Sequence, residues 1–116
     1  MSPVQPATGA HPEHRGTIHV EDARVLSHQS FPGRQFVLRL ASPQVAARAT
    51  AGSFVHVAVD PSIPMRRPLS IMRVDREAGW IELLYKIHGQ GLLHLASRRV
   101  GDTLNLLGPI GQGFRP

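Results

Sequence analysis

Apolar and polar residues alternate along most of this chain, with the period of two that is typical of β-strands half buried in a sheet. Turn signals rich in glycine and proline divide the alternating stretches about once every ten residues. The pattern therefore predicts six strands and an all-β fold, either a small antiparallel barrel or a sandwich. The predicted strands cover residues 16–31, 34–42, 53–60, 67–75, 80–88 and 103–114.

The alternation also predicts which side of each strand is buried. In the first strand, the core face is expected to carry Ile18, Val20, Ala23 and Val25, with a β-bulge near Glu21-Asp22. The buried sets of the next two strands are predicted to be Phe36, Leu38 and Leu40, and then Val55, Val57 and Val59.

One stretch has helical rather than strand periodicity. Residues 89–102 are predicted to form a helix that two glycines precede and that Gly101 ends. Its apolar side is expected to carry Leu92, Leu93, Leu95 and Ala96.

The remaining segments set the predicted boundaries of the domain. Residues 43–52 fit either a short helical turn or a loop, and the two prolines of 61–65 exclude a ladder strand there. Residues 1–14 are rich in Pro, Ala, Gly and Ser without any period, so a disordered tail is expected. A length of 116 residues indicates one domain, which we place at 15–110, with 111–116 as the start of a linker.

Composition excludes several kinds of chemistry. The chain has no cysteine, so it can form no disulfide, thiolate metal site or cysteine nucleophile. The formal net charge of +5 is compatible with an anionic cofactor, a nucleic acid or an acidic protein as partner. Neither a signal peptide nor an apolar run long enough to span a bilayer is present in the sequence, so we expect a cytoplasmic protein with no membrane partner.

The stretch "RRPLSI" (66–71) places two adjacent arginines at the start of an apolar strand. Pro68 restricts Arg67 to an extended backbone, so its guanidinium is held stiffly beside the strand. A guanidinium fork suits a phosphate group better than an ammonium does. An anion site is therefore predicted here, although an edge strand ending in solvated arginines fits the same residues.

Two neighbouring segments could contribute to such a site. In "HGQGLL" (88–93) two glycines open a helix, and free backbone N–H groups at a helix N-terminus bind anions, although a plain strand-to-helix turn is equally compatible. In the fifth strand, Tyr85 and Lys86 point to opposite faces, so one of them can reach the groove that Arg67 faces. Tyr85 could stack on a flat ring, and Lys86 could pair with a phosphate.

Other site types lack their motifs. There is no G-x-G-x-x-G after a strand and no Walker loop, so neither a parallel dinucleotide-binding fold nor a nucleotide hydrolase is indicated. The seven histidines have no metal-ligand spacing, and no serine nucleophile elbow exists, so neither a metal ligand nor a catalytic residue is predicted.

Three segments together, "RRPLSI", "LLYKIHGQGLLHLA" and "GDTLNLLGPIGQGF", resemble in order and spacing the FAD-binding domain of the ferredoxin-reductase superfamily. Within it they are most similar to the electron-transfer subunits of type-B, NAD-linked dihydroorotate dehydrogenase, of pyrimidine biosynthesis. The similarity covers residues 16–114. It implies a six-stranded antiparallel Greek-key barrel with one short helix, binding FAD in a flavin-dependent oxidoreductase.

The resemblance also implies roles for individual residues. Arg67 would meet the FAD diphosphate, and Ser70 would lie near the redox-active edge of the ring. The full set of implied cofactor-binding residues is Arg67, Pro68, Leu69, Ser70, Leu84, Tyr85, Lys86, Gly91 and Leu92.

Departures from the family pattern qualify these expectations. Many members carry threonine where this chain has Leu92, so one side-chain bond to phosphate is expected to be lost. Members also continue into a nicotinamide-binding domain, and in the dihydroorotate branch cysteines hold an iron–sulfur centre. We therefore expect this chain to be incomplete and inactive alone, with those two parts and a catalytic dehydrogenase subunit as its partners.

Two other functions fit the composition. A basic, non-catalytic β-barrel could bind RNA or single-stranded DNA through aromatic platforms and a positive groove. The chain has few aromatic residues and its arginines do not cluster along one strand, so no nucleic-acid partner is expected. The other possibility is a domain that serves only as a subunit contact and binds no cofactor.

Overall fold

A computed structural model describes residues 18–59, 65–87 and 89–111, and these residues form a closed β-barrel. Its strands are β1 His19–Phe31, β2 Gln35–Ala41, β3 Phe54–Ala58, β4 Arg67–Asp75, β5 Trp80–Lys86 and β6 Thr103–Ile110. Two helices, α1 Pro43–Arg48 and α2 Gly89–Ala96, connect β2 to β3 and β5 to β6.

The barrel order is β1-β2-β5-β4-β3-β6, and every neighbouring pair is antiparallel. The β3–β4–β5 hairpins are consecutive, and β6 then returns beside β3, which is the Greek-key connection. The prediction of a six-stranded antiparallel Greek-key barrel is confirmed. Closure of the sheet removes free strand edges except where neighbouring strands diverge.

The barrel interior is filled by the alternate residues of each strand. The prediction for the third strand is confirmed, because Val55, Val57 and Val59 are all fully buried. In β2, Leu38 and Leu40 are fully buried, and Phe36 packs partly buried against the core. The other large buried side chains include Val25, Ile71, Ile81, Leu83, Leu95 and Leu106.

The predicted core face of the first strand is wrong at its start. Ile18 and Val20 are 42% and 64% exposed, whereas Glu21 is buried in line with Ala23 and Val25. No bulge is needed near residue 21, and the register shift against β2 lies later, between Val25 and Ser27. The apolar pattern misled the prediction because a carboxylate occupies an inward position.

Glu21 can be buried because α1 supplies its hydrogen bonds. Oε1 accepts from the Ser42 hydroxyl at 2.6 Å and from the Val45 amide at 3.0 Å, and Oε2 accepts from the Gln44 amide at 3.1 Å. These amides belong to the first turn of a helix, where no intrahelical acceptor exists. A side chain from β1 thus caps α1, and residues 43–48, left open by the sequence, are helical.

The second helix is shorter than predicted, because α2 ends at Ala96 rather than at Gly101. Leu92 and Leu95, three residues apart, share the buried face. The inclusion of Leu93 in the buried face is wrong, since it is 51% exposed. Gly101 instead lies in the following turn, where its φ is +96° and its amide donates to the Val25 carbonyl.

The end of β6 explains one glycine of the "GPIG" stretch. A Cβ on Gly108 would lie 3.0 Å from the Phe54 carbonyl oxygen and 3.1 Å from Val55 Cγ1, so only glycine lets β6 approach β3 this closely. The strand ends at Ile110, four residues before its predicted end.

Several predictions fall outside the described residues: the tail 1–14, the prolines of 61–64 and the linker from 112 onward. Within the described ranges, the longest helices are too short to cross a bilayer.

Candidate functional site

The candidate site lies where β4 and β5 separate. Their pairing runs from Asp75↔Trp80 to Ile71↔Leu83, with a register shift between Ile71 and Arg73. Beyond that point, residues 67–70 have their strand partners on β3, and residues 84–86 have theirs on β2. Because a strand directs backbone groups to both sides, the divergence leaves main-chain donors and acceptors directed at the gap.

A groove of about 330 Å³ occupies this gap. The residues that line it are Arg67, Pro68, Leu69, Ser70, Leu84, Tyr85, Lys86 and Leu92. These are eight of the nine residues that the sequence predicts to bind the cofactor, brought together from β4, β5 and α2. The ninth, Gly91, directly precedes Leu92 in α2.

The groove has an apolar floor and a rim of both polar and apolar residues. Leu69, Tyr85 and Leu92 are almost completely buried, so they form the floor and belong to the barrel core. The exposed lining residues are Pro68, Ser70, Leu84 and Lys86. None of the described lining residues is acidic, and Arg67 and Lys86 make this part of the groove cationic. An anionic ligand with a flat apolar part matches such a surface.

Arg67 gives the clearest indication that the groove binds an anion. Its Nε is buried and has no hydrogen-bond partner in the part of the chain that the structure describes. A buried donor without a partner costs about 1–3 kcal/mol of desolvation. A phosphate oxygen in the groove would remove this cost and form a charge-assisted bond.

The neighbouring arginine has a different task. The Arg66 guanidinium donates to the carbonyls of His56 and Asn105, each at 3.2 Å, and to Asn105 Oδ1. Arg66 therefore binds β3 and β6 to each other. Arg66 is thus held by contacts inside the protein, and it is not among the described residues that line the groove.

Tyr85 and Lys86 both line the groove, which settles the alternative that the sequence left open. The Tyr85 ring stacks on Phe36 with 5.3 Å between centroids and 11° between planes. Its hydroxyl lies 2.6 Å from His28 Nε2. Burial raises the pKa of Tyr85 well above its ordinary value, so its hydroxyl stays protonated at neutral pH.

His28 is a contributor that the sequence reasoning missed. The sequence pattern offers its histidines only as possible metal ligands. The described residues hold no cluster of three or more His, Asp or Glu that could bind a metal. His28 is 57 residues away from Tyr85 along the chain, so no local motif joins them. Only the β1–β2–β5 register places the two rings side by side.

Known proteins are similar to this chain in sequence over most of its length. The model of the oxidoreductase FAD-binding domain family matches residues 17–114. The electron transfer subunit of dihydroorotate dehydrogenase B (NAD(+)) from Desulforamulus reducens is 36% identical over 99 residues, which cover 82% of this chain and 37% of that protein. The same subunit from Lysinibacillus sphaericus is 37% identical, over 84% of this chain and 38% of that protein.

A structural relative shows the same fold. An NADH-dependent reduced ferredoxin-NADP oxidoreductase superposes with a TM-score of 0.74 at 23% identity, over 80% of this chain and 34% of that one. The curated relatives are therefore more than twice as long as the region they share with this chain.

Proposed function

Because this chain belongs to the family of oxidoreductase FAD-binding domains, we propose that its FAD lies in the groove between β4 and β5. The observation that carries the proposal is the buried Nε of Arg67, which has no hydrogen-bond partner among the described residues, within a groove whose described lining residues include no acidic one. A dinucleotide supplies both the phosphates that this donor lacks and a flat ring for the apolar floor.

The phosphate end of the site is assigned to Arg67, with Lys86 and the start of α2 close to the same groove. Arg67 is opposite Val57 in the β3–β4 ladder, and Pro68 follows it, so its backbone is fixed before the ligand arrives. The backbone of Arg67 therefore loses little conformational freedom when the ligand binds. The backbone N–H groups at Gly91 would add donors directed out of the helix N-terminus.

The ring end is assigned to Ser70, Leu84 and the floor residues. Leu84 is 43% exposed, which leaves an apolar surface that a flavin ring would cover. Ser70 offers a hydroxyl on the opposite wall, where the strands begin to separate. FAD, when bound, supplies two-electron and one-electron redox chemistry that no side chain of this protein can supply.

The role of this domain in a larger enzyme is a further part of the proposal. We propose that this chain is the flavin domain of an NAD-linked electron-transfer subunit and that its partners are a nicotinamide-binding domain, an iron–sulfur centre and a catalytic dehydrogenase subunit. Support comes from the relatives named electron transfer subunits, of which this chain spans 37% and 38%. The family match favours this function over the nucleic-acid alternative.

The test is a titration of the purified chain with FAD and with FMN, followed by visible absorbance and flavin fluorescence. We expect saturable binding of FAD and binding of FMN weaker by at least about tenfold, since FMN lacks the second phosphate. Equal affinities would remove the diphosphate from Arg67. Absence of saturable binding by either flavin would contradict the assignment of the groove.

A further inference from the structure

We propose that His28, which does not line the groove, is a positioning residue of the FAD site. It holds the hydroxyl of Tyr85 and ties the β5 wall of the groove to the turn that follows α2. This inference rests on the proposed function, because it concerns the same groove. Three observations carry it: the direction of the hydrogen bonds, the anchoring of the turn, and the packing of the rings.

The direction of the hydrogen bonds follows from the partners of His28. Nδ1 lies 2.9 Å from the Arg98 carbonyl oxygen, which can only accept, so Nδ1 carries the proton. In the neutral imidazole, Nε2 is then an acceptor. Tyr85, 2.6 Å away, must donate its hydroxyl proton to Nε2. Toward a ligand in the groove, Tyr85 can therefore accept a hydrogen bond through its oxygen or offer the face of its ring, but it cannot donate a hydrogen bond.

The turn after α2 is fixed at Arg98. Its amide donates to the Leu95 carbonyl at 3.0 Å, and its Nη2 donates to the Val59 carbonyl at 2.8 Å. Its own carbonyl accepts from His28. Because Leu92 of the same helix lines the groove, a displacement of this turn would move one groove wall relative to the other.

The rings around His28 explain why the hydrogen bond matters. His28, Phe36 and Tyr85 come from three adjacent strands, with 5.3 to 5.9 Å between ring centroids. Stacking on Phe36 restricts the plane of the Tyr85 ring, but stacking does not fix the direction of the hydroxyl group. His28 supplies that direction, and with it one link from Tyr85 through the Arg98 carbonyl to α2.

The decisive variants are His28→Gln and His28→Phe. Glutamine keeps one acceptor and one donor and can serve both Tyr85 and the Arg98 carbonyl, whereas phenylalanine keeps only the ring. We expect His28→Phe to weaken FAD binding about three- to tenfold, and His28→Gln to stay within about twofold of the original chain. Far-UV circular dichroism and Trp80 fluorescence check that both variants fold.

Two results would overturn the proposal. One is FAD binding by a folded His28→Phe variant that is as tight as that of the original chain. The other is a His28→Gln variant that binds as weakly as His28→Phe, because the effect would then come from packing. If the original chain itself fails to bind FAD, the proposed function fails, which is a separate outcome.

The hydrogen bond is also testable without any cofactor. In the ¹⁵N spectrum of the original chain, we expect the proton of His28 on Nδ1, with Nε2 as the acceptor. A spectrum that shows the proton of His28 on Nε2 would disprove the arrangement.

Discussion

The two ends of the β4–β5 pair differ in whether the nearby arginines are paired with a carboxylate. At the paired end, Glu82 lies between Arg39 and Arg73, with Arg39 Nη2 2.7 Å and Arg73 Nε 2.8 Å from its carboxylate oxygens. The Arg39 guanidinium also stacks 4.0 Å above the Trp80 ring. At the separated end, the buried Nε of Arg67 forms no hydrogen bond with any of the residues that the structure describes.

This difference distinguishes a charge that serves the fold from a charge that serves a ligand. Burial would raise the pKa of Glu82, but hydrogen bonds from Arg73 and Arg39, together with their charges, outweigh burial and lower it. The paired end is therefore electrostatically complete. The separated end keeps a desolvated donor, which is stable only because the strands around it are held by β3 and β2.

The largest contrast is expected between Arg67→Ala and Arg73→Ala, two arginines of one strand. Loss of a charge-assisted bond to phosphate should weaken FAD binding about 10- to 150-fold in Arg67→Ala. Arg73→Ala should change it by less than about twofold. Flavin titrations of both variants measure the contrast, and similar losses in the two would place the phosphates elsewhere.

The converse contrast concerns stability. Glu82→Gln removes the charge that Arg39 and Arg73 share, so the free energy of unfolding should fall by about 1–2 kcal/mol while FAD affinity is unchanged. Arg67→Ala should leave the stability of the cofactor-free chain unchanged or slightly higher, because an unpartnered donor is removed. Urea denaturation compares the two variants. A large loss in Arg67→Ala would mean that this arginine serves the fold.

The stability that the charge of Glu82 contributes should be lost at acidic pH. Its pKa in the folded chain is below its ordinary value of 4.5, so the unfolded state binds the proton first as the pH falls. The stability difference between the original chain and Glu82→Gln should be constant near neutral pH and shrink below about pH 4.5. Thermal denaturation across this range tests it, and a difference that does not depend on pH would contradict the ion-pair explanation.

A small gain in FAD binding is expected at Leu92. Leu92→Thr would place a hydroxyl in the groove and should tighten FAD binding by up to about threefold. Because Leu92 is buried, the same change should lower stability by about 1–2 kcal/mol. Leu95→Thr, on the buried face of the same helix but outside the groove lining, is the matched control. It should lose stability without a gain in affinity.

The predicted cofactor-binding residues lie together in the structure, whereas several details of the fold differ from their predictions. The residue types of the "RRPLSI" block suggested an anion site, the family resemblance supplied the nine residues, and eight of these nine line one groove. The faces of Ile18, Val20 and Leu93 were wrong, because a local apolar pattern does not reveal that a neighbouring element satisfies an inward carboxylate. Glu21 is such a case, since its three donors come from residues 42–45.

By itself, then, the sequence pattern determined the six strands, an antiparallel all-β fold that was either a barrel or a sandwich, and the cationic segment beside an apolar strand. Alternation and turn chemistry are short-range, so they can be read along the chain. Only the tertiary structure decided that β4 and β5 separate after Ile71, that Arg66 joins β3 to β6 while Arg67 faces the groove, and that His28 reaches Tyr85. These depend on the register between strands distant in sequence, which is set by the packing of the whole barrel.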